Sequence, residues 1–112
     1  MKNLFVIIDV NSNNSGLILE AMRFCSGMAA AGIYLSIYLS KNSLQTISEN
    51  SDEPEFVQLL NSSIETLKKE NCRFLIPEGS NADFLNIADR SDKIEIKQLA
   101  EVSLKCDYLL RF

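Results

Sequence analysis

Chemistry in this chain must be done with few tools. The sequence holds no histidine, which removes imidazole acid–base pairs, Ser-His-Asp triads and mixed Cys/His zinc sites. Carboxylates, hydroxyls and amides remain, and they gather where apolar runs stop. Asp9 closes the run LFVII, and Glu78 with Gly79 follows LIP inside CRFLIPEGSNADF at 72–84. Ser80 and Asp83 form an S-x-x-D helix-start pattern. Asp9, Glu78 and Asp83 together offer the hard oxygen ligands that a divalent cation takes, so a metal-dependent hydrolase using Asp9 and Glu78 is one reading. The other reading of Asp9 is a turn carboxylate accepting backbone N–H groups. Asn11, Ser12, Asn13, Asn14 and Ser15 precede a helix start, as Ser40 does further on, and helix N-termini favour anions. A phosphate or sulfur oxyanion is therefore a candidate ligand, with plain helix capping as the competing account. Gly16 stands alone, with neither a GxGxxG nor a P-loop pattern around it.

The three cysteines are Cys25, Cys72 and Cys106. An odd count without a CxxC spacing makes a poor disulfide framework. Cys25 falls on the apolar side of a helix, where a thiol behaves as a small hydrophobe. Cys72 opens a strand near Lys68 and Lys69, cations of the kind that lower a thiol pKa. Cys106 stands between Lys105 and Asp107. Packing is the expected role of all three, and no cofactor is expected.

The elements that must position these groups follow from patterning. With 112 residues the chain fits one domain, 1–112. Eleven basic and fifteen acidic residues give a formal charge of −4, which argues against nucleic-acid and anionic-membrane partners. The apolar run at the start is too short to span a membrane and lacks a signal-cleavage region, so a cytoplasmic address is expected. LFVII is a continuous apolar run, as in strands covered on both faces. Leu17, Ala21, Phe24, Met28 and Ala31 mark one helix face, and Gly32 suits its left-handed stop. A strand at 33–39 follows, and then a short helix opened by Ser40-Lys41-Asn42. Asp52 caps the next helix, with Pro54 and Glu55 in its first turn and Phe56, Leu60, Ile64 and Leu67 as its stripe; Asn71 stops it. The segment 72–76 is the third strand. Ser80 and Asp83 cap a helix carrying Phe84, Leu85 and Ile87. Ile94 and Ile96 mark a short fourth strand, Leu99, Val102 and Leu104 a last helix, and 108–112 the fifth strand.

The order β-α-β-α-β-α-β-α-β predicts an α/β fold: a three-layer α/β/α sandwich around a five-stranded parallel sheet with right-handed crossovers. Ligands of such sheets bind beyond the C-terminal strand ends. That rule nominates Asp9, Asn11, Ser12, Asn13, Ser40, Glu78, Gly79 and Ser80 as one ligand-binding rim. Cys72 and Cys106 precede strands and fall on the opposite rim, as possible neighbours of each other. Tyr34 and Tyr38 are expected to pack or to contact another subunit.

Three passages carry a family likeness. EAMRFCSGMAAAGIYLSIYLS at 20–40, CRFLIPEGS at 72–80 and the ending KCDYLLRF resemble the DsrE/DsrF-like (DsrEFH) sulfur-relay family. The resemblance implies a five-stranded parallel sheet flanked by helices, and a homo-oligomer, either dimer, trimer or hexamer. It also implies, in some members, a persulfide-carrying cysteine just past the third strand that works with a sulfur-relay partner protein. That cysteine would fall near Pro77 or Ser80, and neither is a thiol. Cys72 lies at the far end of the same strand, roughly 15 Å away at about 3.3 Å per residue. The resemblance with this departure implies a non-catalytic or divergent oligomeric subunit that binds a partner protein or a small anionic ligand at the rim. A persulfide carrier acting through Cys72 is the alternative within the family. The metal-dependent hydrolase lies outside it, and IIDVNSNN has a slight likeness to the first strand of PIN-like nucleases.

Overall fold

A computed structural model describes residues 2–70, 72–80 and 91–112, except for the side chains of Ser12, Ser91, Asp92 and Ile96. The strands are β1 (Asn3–Ile8), β2 (Tyr34–Leu39), β3 (Arg73–Pro77), β4 (Ser91–Ile94) and β5 (Tyr108–Arg111). The helices are α1 (Ser15–Ala30), α2 (Lys41–Glu49), α3 (Pro54–Lys69) and α4 (Ile96–Lys105), with a 3-10 turn at Ser12–Asn14. The five strands form one sheet in the order β4-β3-β2-β1-β5, and every pairing is parallel. The α/β architecture predicted from the sequence is therefore the observed one.

Strand periodicity sends alternate side chains to opposite faces of the sheet. Leu4, Val6 and Ile8 of β1, Leu35, Ile37 and Leu39 of β2, and Phe74 and Ile76 of β3 pack with buried residues of α1 and α3. These include Ile18, Met22 and Cys25 of α1 and Leu60, Ile64 and Leu67 of α3. On the other face Phe5, Leu75 and Ile94 make a smaller core with Leu99 and Val102 of α4. Each such side chain contributes about 1.5–3 kcal/mol when fully buried, so the central strands are held from both sides.

α1 ends as the sequence predicts. Gly32 has φ +89°, its N–H bonds the Ala29 carbonyl, and the Ile33 N–H reaches back to the Met28 carbonyl. This pair of bonds is a Schellman stop, whose left-handed position favours glycine.

Other boundaries differ from expectation. Ile94 and Ile96 do not share a strand: Ile94 ends β4 and Ile96 begins α4. Between them Glu95 makes a capping box with Gln98, whose side-chain oxygen accepts the Glu95 N–H at 2.9 Å. The apolar–polar–apolar alternation of Ile94-Glu95-Ile96 imitates a strand, and the reciprocal cap decides for a helix. At α3 the N-cap residue is Glu53, not Asp52, and it makes no side-chain cap; Pro54 supplies the start through its fixed φ. The helix expected from the Ser80–Asp83 pattern, with Phe84, Leu85 and Ile87, and the stop expected at Asn71 lie outside the described residues. Among the described residues no helix is long and apolar enough to cross a membrane.

Candidate functional site at the C-terminal strand rim

Asp9 leaves β1 between two neighbouring strands. Ile8 is in register with Leu39, and the Ser40 N–H continues that ladder to the Ile8 carbonyl at 3.0 Å. On the other side the Asp9 N–H donates to the Phe112 carbonyl at 3.1 Å. The backbone thus holds Asp9 between the ends of β2 and β5, and its carboxylate is met from both. Ser40 Oγ donates to Asp9 Oδ1 at 2.7 Å and Asn42 Nδ2 approaches it at 3.4 Å. The Arg111 guanidinium lies 3.1 Å from Asp9 Oδ2. The Ser40 hydrogen bond above all, with Asn42 and Arg111 behind it, holds the Asp9 carboxyl below the usual carboxylate range, against an opposing push from partial burial. Burial and the Asp9 charge raise the Tyr38 hydroxyl. The Arg111 side chain is 70% exposed, so the ion pair itself adds at most about 1 kcal/mol.

α2 fixes this arrangement. Ser40 caps it by accepting the Ser43 N–H at 3.1 Å. The Ser43 hydroxyl donates to the Ile8 carbonyl at 2.7 Å and accepts the Val10 N–H at 2.9 Å. The Thr46 hydroxyl lies 3.1 Å from the Val10 carbonyl and 2.9 Å from that of Asn42. Both hydroxyls are fully buried. Between them they supply partners for the Val10 N–H and carbonyl as the backbone leaves the sheet, which a buried chain requires, and Ser43 adds a second donor to the Ile8 carbonyl that Ser40 already meets. Leu44 and Ile47 on the same helix face supply the apolar seal.

The remaining predicted residues spread along the rim. Asn11 precedes the 3-10 turn but makes no side-chain cap; its carbonyl accepts the Asn14 N–H at 3.0 Å. Asn11 and Asn13 are exposed. Ser12 begins that turn. Glu78, Gly79 and Ser80 belong to a tight turn after β3. The Ser80 N–H donates to the Pro77 carbonyl at 3.1 Å, and Gly79 has φ +84°, the conformation that the third position of a type II turn demands. The Glu78 N–H meanwhile donates to the Ile94 carbonyl at 3.0 Å.

The expected convergence of Asp9 and Glu78 is not what the sheet order produces. β2 lies between their strands, a separation of roughly 10 Å at about 4.8 Å per strand, and Asp9 is engaged by Arg111. Among the described residues no three His, Cys, Asp or Glu side chains gather as a metal site; Asn81 and Asp83 lie outside them. The rim therefore divides into a compact group, Asp9, Ser40, Asn42 and Arg111, and a separate Glu78–Ser80 turn. The compact group sits where the topology reverses. β2, β3 and β4 extend to one side of β1 and β5 lies on the other, the place where such sheets hold ligands. Arg111, Asn42, Ser43 and Thr46 went unread in the sequence. The signal for Ser43 and Thr46 is a pair of hydroxyls three residues apart among the apolar positions of a short helix. Arg111 carries no local signal, because its partner is 102 residues away.

None of the thiols is at this rim. Cys25 and Cys72 are buried in the larger core, and burial pushes each up to about 12, with the neighbouring Cys25 adding to the effect on Cys72. Cys106 is half-buried on the α4 face and its thiol donates to the Ser103 carbonyl at 3.0 Å. Cys72 and Cys106 are not neighbours: they precede β3 and β5, three strand positions apart, and join cores on opposite faces.

No protein-family model matches the chain, and no curated protein matches it. Among solved structures it is similar to the crystal structure of the ychN protein from E. coli, at 14% sequence identity, a TM-score of 0.70 and full coverage of both chains. At that identity the likeness speaks for the fold alone, which is DsrEFH-like.

Proposed function

We propose that this chain is a divergent DsrE/DsrF-type subunit, cytoplasmic and homo-oligomeric, that binds a partner protein or a small anionic ligand at its C-terminal strand rim and does not itself carry sulfur. The observation that carries this reading is the pairing of Asp9 and Arg111 at the topological reversal. The pair leaves a guanidinium 70% exposed beside the Ser40 and Asn42 side chains. A guanidinium has five donors in a fixed fork, and Asp9 occupies one side of it. The open side suits the oxygens of a carboxylate or a sulfur oxyanion, with Asp9 as the group that aims it. The DsrEFH-like fold and the three sequence passages support the family part of the reading. The absence of a thiol among Pro77, Glu78, Gly79 and Ser80 supports the divergent part.

Two measurements test it. Incubation with a cysteine desulfurase and intact-mass spectrometry should show no added sulfur. A stable gain of about 32 Da that disappears in Cys72→Ser would overturn the non-catalytic reading and make Cys72 the carrier. Titration with thiosulfate followed by amide NMR should move the resonances of Asp9, Ser40 and Arg111 in the wild type, and Arg111→Gln should weaken that binding at least about tenfold. Shifts that persist unchanged in Arg111→Gln would place the anion elsewhere.

A further inference from the structure

One face of the sheet is left half open by its helix. β2 is the central strand, and its Leu35, Ile37 and Leu39 are sealed in the larger core with α1 and α3. Tyr34, Ser36 and Tyr38 alternate with them and lie on the α4 side. There Tyr34 is exposed and Ser36 and Tyr38 are half-buried, although parallel sheets are ordinarily covered on both faces. α4 has ten residues, about 15 Å of helix, too short to cover five strands set about 4.8 Å apart. Its Leu99 and Val102 pack against Phe5, Leu75 and Ile94. Ser36 is in register with Phe5 on one side and Arg73 on the other, and a serine there lacks the apolar bulk that would close the contact with α4. Leu109 of the terminal strand β5 continues this row beyond Phe5 and, like Tyr108 and Leu110, is exposed. Between α4 and the N-terminal strand ends a cavity of about 350 Å³ remains, a volume typical of small-ligand sites.

The lining of this cavity names the class of ligand. Phe5, Ile94 and Val102 form an apolar floor, and Tyr34 and Ser36 border it from β2. Arg73, itself engaged, closes the β3 side. Gln98, Glu101 and Lys105 line it from α4; spaced by three and four residues, they occupy one flank of the helix. Gln98 spends its side-chain oxygen on the Glu95 N–H, which leaves its NH₂ group as a donor. Glu101 precedes Lys105 by four residues, the order that favours a direct ion pair, yet neither has an ion-pair partner among the described residues, and the Tyr34 and Ser36 hydroxyls have no hydrogen-bond partner there. A simple anion would meet Lys105 and be repelled by Glu101, and a simple cation would meet the reverse. A zwitterion satisfies both. We propose that this cavity binds a free α-amino acid with an apolar side chain. Its carboxylate takes Lys105 and the hydroxyls of Tyr34 and Ser36, its ammonium takes Glu101, and its side chain lies against Phe5, Ile94 and Val102. Hydrogen bonds to ionised groups are roughly twice as strong as neutral ones, so each end of the ligand adds to recognition. This cavity is distinct from the Asp9–Arg111 group, since Ser36 and Ser40 lie roughly 13 Å apart along β2 at about 3.3 Å per residue.

Amide NMR titration tests it. L-Phenylalanine, added up to about 10 mM, should move the resonances of Ser36, Glu101 and Lys105 saturably and leave Ser40 and Arg111 in place. 3-Phenylpropionate lacks the ammonium and phenethylamine lacks the carboxylate, and each should bind at least about tenfold more weakly. Glu101→Gln should weaken L-phenylalanine at least about tenfold while leaving 3-phenylpropionate no weaker, and Lys105→Met should do the same with phenethylamine as the spared ligand. Both positions are exposed, so the fold should hold, as an unchanged circular dichroism spectrum would show. Binding of 3-phenylpropionate as tight as that of L-phenylalanine would overturn the zwitterion. So would L-phenylalanine binding that ignores Glu101→Gln. The absence of saturable shifts with L-phenylalanine, L-leucine and L-methionine alike, or shifts centred on Ser40 and Arg111, would overturn the site.

Discussion

At the scale of single residues, Asp9 is a carboxylate whose environment was half legible. A polar residue closing an apolar run reads as a rim position, and Asp9 is at that rim. Its partners did not follow from the run: Ser40 comes from the next strand end and Arg111 from the last, and neither is near in sequence. Because the Ser40 hydrogen bond, with Asn42 and Arg111, holds its carboxyl below the usual carboxylate range in the folded chain, the stability Asp9 contributes is fully present above the unfolded value near 4 and is lost as pH falls through the lower folded value. Asp9→Asn should therefore cost up to about 1 kcal/mol at pH 7. Urea unfolding of the two proteins should converge as pH falls through that lowered folded value. A difference that persists undiminished at that pH would mean that something other than the ionised carboxylate supplies the stability. Glu78 shows the limit of the same reasoning. It also closes an apolar strand, yet one intervening strand keeps it away from Asp9.

At the scale of elements, α2 explains why the rim is rigid. Its apolar residues Leu44 and Ile47 pack inward, while Ser43 and Thr46 reach the backbone of Ile8 and Val10 as β1 leaves the sheet. Ser43→Ala strands the Val10 N–H in a buried place and leaves the Ile8 carbonyl with the Ser40 N–H alone. It should cost about 1–3 kcal/mol, read as a lower denaturation midpoint with an unchanged slope. A neutral Ser43→Ala would show that water satisfies these groups. The sequence announced α2 through the Ser40 cap but not its bonds to β1, because a hydroxyl on a helix has no pattern that names a distant acceptor. The Ile94-Glu95-Ile96 boundary was misread for the opposite reason: a three-residue alternation is too short to outweigh a capping box.

At the scale of the whole molecule, the two faces of the sheet sort the three thiols. Cys25 and Cys72 are sealed under α1 and α3 at 0% and 4% exposure, with their ionisation pushed up to about 12. Cys106 stays partly open beside α4. Since the thiolate is the reactive form, a native sample should give about one equivalent of reaction with an aromatic disulfide reagent, lost in Cys106→Ser, and three after denaturation. Fast native labelling of Cys72 would contradict the burial described above and reopen the carrier alternative. The sequence by itself determined the α/β class, because unbroken apolar strands alternating with amphipathic helices can bury their surfaces only in a covered parallel sheet. It also determined that Pro77, Glu78, Gly79 and Ser80 bring no thiol to the third strand's corner, since that is composition at fixed positions. The tertiary structure alone decided that Arg111 meets Asp9, that Glu78 does not, and that β5 ends as an exposed apolar edge. Those facts depend on strand order, and strand order is set by how whole faces pack, not by any stretch of chain short enough to show a period.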